Sequence, residues 1–124
     1  MQSLPRNLWF EPTNTCNAKC PLCPTGSGPL SRSPACLDIG FYKRVIDEVQ
    51  PRTVHFWNYG EPFLHPHIFE MFRYAADCGA VTYASTNGFV FYKLDPALRA
   101  ILAVSQPGQL WMPQRLGPFV VIVR

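Results

Sequence analysis

The chain has 124 residues, of which 48% are hydrophobic and 15% charged, with a net charge of +3 at pH 7. This composition predicts a single folded domain and excludes a disordered chain. The lysines and arginines are scattered along the sequence, so nucleic acid is not the expected partner. No apolar run reaches the length of about 18 residues that predicts a membrane span, and the amino terminus lacks the pattern of a secretory signal.

Short apolar runs alternate with helical periodicity along the chain, a pattern typical of a parallel sheet with crossover helices. The first strand is predicted over Asn7 to Glu11, and a long loop rich in cysteine, glycine and proline follows it. Asp38 is the predicted cap of the next helix, which Pro51 ends. The apolar face of that helix consists of Ile39, Tyr42, Val45, Ile46 and Val49.

A second strand is predicted over Thr53 to Trp57 because this run is rich in branched and aromatic residues. Pro66 suits the first turn of the following helix, and Gly79 suits its end. The apolar positions of this helix include Ile68, Met71, Phe72 and Ala75. A third strand over Val81 to Ser85 and a third helix over Asp95 to Val104 complete the regular pattern.

Three cysteines, Cys16, Cys20 and Cys23, lie in the loop after the first strand. Thiolates are soft ligands, and three of them in a compact loop can hold zinc or an iron-sulfur cluster. Structural zinc normally takes four protein ligands, whereas three leave a position open for chemistry. The tight trio fits metal binding in a reducing compartment, so the cytoplasm is the expected location. Cys36 and Cys78 are predicted to be small, buried apolar residues.

Two further motifs follow the predicted second and third strands. They read Tyr59-Gly60-Glu61-Pro62 and Ser85-Thr86-Asn87-Gly88. Each motif taken alone is more often an ordinary turn. The carboxyl ends of parallel strands meet at one edge of a sheet, where α/β proteins assemble their active sites, so the two motifs and the cysteines are expected to lie together.

The CxxxCxxC spacing, the strand before it and the two motifs after it resemble the radical SAM superfamily in order and spacing, from about Asn7 to Gly88. The resemblance implies an incomplete parallel (β/α) barrel of the α/β class, with about three strand-helix units in residues 1–104. It implies that Cys16, Cys20 and Cys23 hold a 4Fe-4S cluster whose remaining iron binds S-adenosylmethionine (SAM). Reductive cleavage of SAM would then give a 5'-deoxyadenosyl radical.

The resemblance also implies which residues surround SAM. The backbone of one segment would meet the SAM amino group, polar side chains would lie near the ligand, and one side chain in the cysteine loop would lie near the adenine. These three sets are Gly60, Glu61 and Pro62; Ser85, Thr86 and Asn87; and Leu22. Tyr59 departs from the usual glycine of the family, and Leu22 departs from its usual aromatic residue.

The subgroup that this chain resembles modifies peptides or builds cofactors, so the implied substrate is a peptide or a cofactor precursor. The implied reductant is a flavodoxin or a ferredoxin. The additional cluster cysteines that the subgroup carries downstream are not in this sequence. The alternative hypothesis is a non-catalytic, zinc-binding fragment or an inactive remnant.

Residues 105–124 carry no pattern of the family. We expect this tail to come from a shifted reading frame or a truncated gene, which would leave the third strand exposed at the edge of the sheet. The alternative is a divergent fourth strand at Phe119 to Val123.

Several other residues are predicted to have structural roles. His55 lies inside a strand, and His65 and His67 flank a helix start, so none is a predicted metal ligand. Glu11 is predicted to be structural. The aromatic residues predicted to form the sheet core are Trp9, Phe10, Phe56 and Trp57.

Overall fold

The computed structural model of the protein describes residues 4–28, 32–90, 110–112 and 119–123. Its elements, in chain order, are strand β1 (Asn7–Phe10), helix α1 (Ile39–Val49), strand β2 (Thr53–Phe56), a 3-10 turn (Pro62–Leu64), helix α2 (Ile68–Asp77), and strands β3 (Val81–Thr86), β4 (Leu110–Met112) and β5 (Phe119–Val123). The predicted order from the first strand to the third is confirmed, and each of these strands ends within one residue of its predicted end. The predicted third helix, Asp95 to Val104, lies outside the described residues.

The strands form an open sheet in the order β1-β2-β3-β5-β4. β1, β2 and β3 pair in parallel, as predicted. β5 also pairs in parallel with β3, from Thr82 opposite Phe119 to Thr86 opposite Val123, and β4 pairs antiparallel with β5. The expectation that β3 forms an exposed edge is therefore wrong, because the branched residues of the tail supply a neighbouring strand. The alternative of a strand at Phe119–Val123 agrees with the structure, and the frameshift remains a prediction.

Helix α1 begins and ends with local signals that the sequence carries. The carboxylate of Asp38 accepts a hydrogen bond from the backbone N–H of Phe41 at 2.7 Å, which confirms the predicted cap. Gln50 adopts a left-handed conformation at φ 47° and closes the last turn before Pro51. Tyr42 is fully buried, and its hydroxyl donates to the backbone carbonyl of Met71 at 2.9 Å, which joins α1 to α2.

One face of the sheet packs against both helices and forms the core. The four apolar residues predicted for the second helix are all buried. Gly79, at φ 85°, ends that helix as predicted, because a left-handed conformation suits glycine. The core residues are Phe10, Tyr42, Ile46, Val54, Phe56, Ile68, Met71, Phe72, Ala75, Ala80 and Ala84.

The opposite face of the sheet carries a stack of rings. Trp9, His55 and Tyr83 are register partners on the three parallel strands, and their rings stack at 4.6 Å and 4.8 Å between centroids. Trp9 is 55% exposed, so its assignment to the sheet core is wrong, while Phe10 and Phe56 are buried as predicted. The cause is the alternation of side chains along a strand, which turns Trp9 away from the helices.

Cys36 and Cys78 are both exposed, so the prediction that they are buried is wrong. Cys36 lies in the segment before α1, and Cys78 follows the last residue of α2, where neither is covered by the core. Within the part of the chain that the structure describes, no helix has the length and apolar character needed to cross a membrane.

Candidate functional site

The three motif segments meet at the carboxyl edge of the parallel strands, as the sequence predicts. The backbone N–H of Glu61, after β2, donates to the carbonyl of Thr15, after β1, at 2.8 Å. The side-chain amide of Asn87, after β3, donates to the sulfur of Cys16 at 3.5 Å and to the side chain of Asn17 at 2.9 Å. Residues that are far apart in sequence therefore surround the start of the cysteine loop.

Gly60 lies against the backbone of the residues that precede the cysteines. A Cβ atom at this position would overlap the carbonyl oxygen of Thr13 and would stand 2.7 Å from its carbonyl carbon and 3.1 Å from the carbonyl oxygen of Thr15. Only glycine permits this approach without moving one of the two backbones. The glycine thus holds the segment after β2 against the segment after β1.

Glu61 is 2% exposed, and hydrogen bonds occupy both of its carboxylate oxygens. One oxygen accepts from the backbone N–H of Phe63 at 3.1 Å and from the hydroxyl of Thr86 at 2.7 Å. The other accepts from the backbone N–H of Asn87 at 2.7 Å. The carboxylate therefore joins the turn after β2 to the end of β3, and the side chain is engaged within the protein.

Replacing Glu61 by alanine is expected to lower the free energy of unfolding by about 3 kcal/mol, because it leaves buried donors without their acceptor. Urea denaturation measures the change. Glu48→Ala is the matched control, since Glu48 is exposed on α1. Equal stability losses in the two variants would contradict this account of Glu61.

The three cysteines lie in one loop but are not gathered around one point. Cys16 and Cys23 are half-buried, and Cys20 is exposed. Among the described residues, no group of three His, Cys, Asp or Glu side chains is close enough to hold a metal ion. As ligands, the three side chains suit an iron-sulfur cluster because all of them are thiols. In addition, the N–H groups of Ala18 and Asn87 already donate hydrogen bonds to the Cys16 sulfur. Cluster binding requires the loop to bring the other two sulfurs toward Cys16.

The loop between Cys20 and Ser27 is built from tight turns. The N–H of Cys23 donates to the carbonyl of Cys20 at 3.1 Å, and the N–H groups of Gly26 and Ser27 both donate to the carbonyl of Cys23 at 2.9 Å. A Cβ atom at Gly26 would overlap the backbone of Cys20. These contacts keep Cys20 and Cys23 in one compact turn.

The other predicted site residues differ in exposure. Leu22 is 98% exposed at the tip of the loop, and Ser85 is half-buried at the end of β3. Pro62 is buried at the start of the 3-10 turn. Thr86 is buried, and its hydroxyl donates to Glu61.

The polar contacts that join the two ends of the cysteine loop were not predicted from the sequence. The Asn14 amide donates to the carbonyl of Ser33 at 2.8 Å, and its oxygen accepts from the N–H of Ala35 at 2.8 Å. Arg32 binds the carboxylate of Glu11 through two hydrogen bonds of 2.8 Å and 3.0 Å. The only local signal was the short polar run between Pro12 and Cys16.

A cleft of about 370 Å³ opens beside Cys16. The hydroxyl oxygen of Thr25 is buried and has no hydrogen-bond partner among the described residues. The residues that line the cleft are Asn14, Thr15, Cys16, Thr25, Gly28, Arg32 and Pro34. The wall of the cleft is thus formed by the middle of the cysteine loop and by both of its ends.

His65 connects the segment after β2 to the residues before α1. It is 3% exposed; its Nε2 lies 2.9 Å from the carbonyl of Leu37, and its Nδ1 accepts from the N–H of His67 at 3.0 Å. These contacts require the neutral ring with its proton on Nε2. Burial lowers the pKa of His65, although the hydrogen bond to Leu37 opposes this shift. Both ring nitrogens of His65 are thus engaged within the protein.

Acidification is expected to destabilise the protein through His65. Folding lowers the pKa of this imidazole. The contribution of His65 to the free energy of unfolding is therefore complete above the pKa of the unfolded state, and it is lost as the pH falls through the pKa of the folded state. The free energy of unfolding should therefore decrease below about pH 6.5, by at most about 1.4 kcal/mol per pH unit for one proton. Urea denaturation at several pH values should give a shallower slope for His65→Gln. The same slope in His65→Gln and wild type would contradict the attribution of the acid destabilisation to His65. His67→Gln serves as control, because His67 is exposed.

Two curated relatives match this sequence, and both are much longer. An AdoMet-dependent heme synthase of Methanosarcina barkeri is 33% identical over 90 residues, which cover 71% of this chain and 26% of the relative. The mycofactocin maturase MftC of Mycobacterium ulcerans is 33% identical over 100 residues, which cover 79% of this chain and 26% of the relative. The chain thus spans about a quarter of the length of these relatives. No family model matches the sequence.

Solved structures of BtrN share the fold. BtrN in complex with AdoMet and 2-DOIA superposes with a TM-score of 0.60 and 17% identity, over 81% of this chain and 56% of BtrN. BtrN in an open conformation gives a TM-score of 0.57 and 21% identity, over 72% of this chain and 42% of BtrN. At these identities the match concerns the fold alone, an incomplete α/β barrel. The curated relatives, together with this fold, support a relationship of the chain to the radical SAM enzymes.

Proposed function

We propose that this chain is the cluster- and SAM-binding part of a radical SAM enzyme. The observation that supports the proposal best is the meeting of three sequence motifs at one sheet edge, where Glu61 contacts Thr15 and Asn87 contacts Cys16. Parallel α/β folds assemble their active sites at this edge.

In this proposal, Cys16, Cys20 and Cys23 are the thiolate ligands of a 4Fe-4S cluster. When bound, the cluster supplies the electron that cleaves SAM to a 5'-deoxyadenosyl radical. The chain's own residues hold the cluster, orient SAM and limit the access of water. The turns between Cys20 and Ser27 keep two of the ligands together, and Asn87 holds the loop at Cys16.

We assign the SAM contacts to the carboxyl ends of β2 and β3. The carboxylate of Glu61 is occupied within the protein, so the backbone of Gly60, Glu61 and Pro62 is the part of this segment assigned to the SAM amino group. Ser85 is the half-buried hydroxyl at the end of β3, beside Thr86 and Asn87. Leu22 is exposed and is assigned to the adenine.

The substrate class that we propose is a peptide or a cofactor precursor. One relative is named a maturase of mycofactocin and another a heme synthase, which supports this choice. A flavodoxin or a ferredoxin would supply the electron, in a reducing compartment such as the cytoplasm. Because the chain spans about a quarter of these relatives, we expect weak or no turnover from this chain alone.

Anaerobic reconstitution with iron and sulfide tests the proposal. The expected product is a brown protein with about four iron atoms per chain and an electron paramagnetic resonance (EPR) signal that changes when SAM is added to the reduced sample. A chain that holds one zinc ion tightly, with no cluster and no response to SAM, would replace the proposal with a zinc-binding fragment.

A further inference from the structure

The side chain of Asn87 uses all its polar groups within the protein. One N–H is directed at the sulfur of Cys16 at 3.5 Å, and the other at the side-chain oxygen of Asn17 at 2.9 Å. Its own oxygen accepts from the N–H of Phe89 at 3.0 Å. The amide therefore acts as a clamp between the end of β3 and the first cysteine of the loop.

Glu61 fixes the position of this clamp from the other side. Its buried carboxylate accepts from the backbone N–H of Asn87, and its backbone N–H donates to the carbonyl of Thr15, the residue before Cys16. Together with the peptide bond between Thr15 and Cys16, these hydrogen bonds form a closed ring through Glu61, Asn87, Cys16 and Thr15. The backbone of Asn87 is thereby held next to Cys16, within hydrogen-bond reach of its sulfur.

An N–H group directed at a thiolate sulfur stabilises negative charge on that sulfur. Reduction adds one negative charge to an iron-sulfur cluster, and hydrogen bonds to its sulfurs are among the factors that set its potential. We propose that Asn87 is a positioning residue that donates an N–H···S bond to the cluster ligand Cys16 and thereby raises the reduction potential of the cluster. This inference rests on the proposed function and assigns Asn87 to the cluster instead of to SAM.

Redox titration followed by EPR, on the cluster-loaded full chain without SAM, tests the inference. Asn87→Leu removes the donor at nearly constant size, and Asn87→Asp removes it and adds a charge. Both variants should shift the reduction equilibrium at least tenfold toward the oxidised cluster. For a one-electron couple, a tenfold shift lowers the reduction potential by about 59 mV. Asn58→Asp is the matched control, because it adds the same charge after β2 at an exposed position. A potential in Asn87→Leu equal to that of wild type overturns the inference.

A second measurement uses the metal-free chain. Cys16→Ala should move the nuclear magnetic resonance signals of the Asn87 side-chain amide, whereas Cys23→Ala should leave them in place. Signals that do not respond to Cys16→Ala overturn the contact between Asn87 and Cys16, whether or not a cluster forms.

A wild-type chain that takes up no iron overturns the proposed function and this inference together. A wild-type cluster with normal SAM response and unchanged variant potentials overturns the inference alone.

Discussion

Replacing Cys16, Cys20 or Cys23 by alanine, one at a time, is expected to abolish stable uptake of the iron-sulfur cluster. Each thiolate is one of only three protein ligands in the proposed site, and a cluster held by two would be lost during desalting. Altering residues that merely support a ligand typically costs about 10–100-fold in metal affinity, so loss of a ligand should cost at least as much. Iron and sulfide analysis after anaerobic reconstitution measures the effect.

Cys36→Ala and Cys78→Ala are the controls for these variants. Both residues are exposed and lie outside the CxxxCxxC run, Cys36 just before α1 and Cys78 just after α2. Both controls should therefore bind as much iron as wild type. A member of the trio whose alanine variant keeps the full iron content would have to be removed from the site.

Gly60→Ala is expected to destabilise the protein strongly, by about 3 kcal/mol. The added methyl group would overlap the backbone carbonyl of Thr13, and neither backbone can move without breaking the hydrogen bond between Glu61 and Thr15. Overpacking of a closed contact typically costs about 1–3 kcal/mol, and backbone overlap lies at the upper end of that range. Urea denaturation of the metal-free chain measures the loss, and SAM binding should weaken in parallel.

Gly28→Ala is the matched control for Gly60→Ala. It makes the same substitution in the cysteine loop, where a Cβ atom would meet nothing within 4 Å among the residues that the structure describes. Its free energy of unfolding should stay within about 0.5 kcal/mol of wild type. If Gly60→Ala were as stable as Gly28→Ala, the close approach of the two motif segments would not exist in solution.

Local patterns were sufficient to predict the first three strands and helices α1 and α2. The apolar spacing of α2 predicted its four buried residues, and Asp38 and Gly79 marked helix ends because caps depend on neighbouring residues. The meeting of the motifs was predictable because parallel strands end at one edge. These features depend on residues close in sequence or on a general rule of topology.

Contacts between distant residues were not predictable from local patterns. The exposure of Trp9 depends on which sheet face the helices cover, and the neighbour of β3 depends on pairing with a strand more than thirty residues away. The role of the Glu61 carboxylate depends on donors that arrive from β3. Nothing in the sequence next to Asn14 or Arg32 reveals partners across the cysteine loop.

The central claim is that three cysteines hold a cluster and leave one iron for SAM. Electron-nuclear double resonance on the reduced, cluster-loaded chain tests it most directly, with SAM isotopically labelled at its amino nitrogen and carboxylate oxygens. The account predicts hyperfine coupling of both labels to the cluster, and it predicts no coupling in Cys16→Ala. An intact cluster that shows no coupling to either label, with SAM present in excess, would contradict the account.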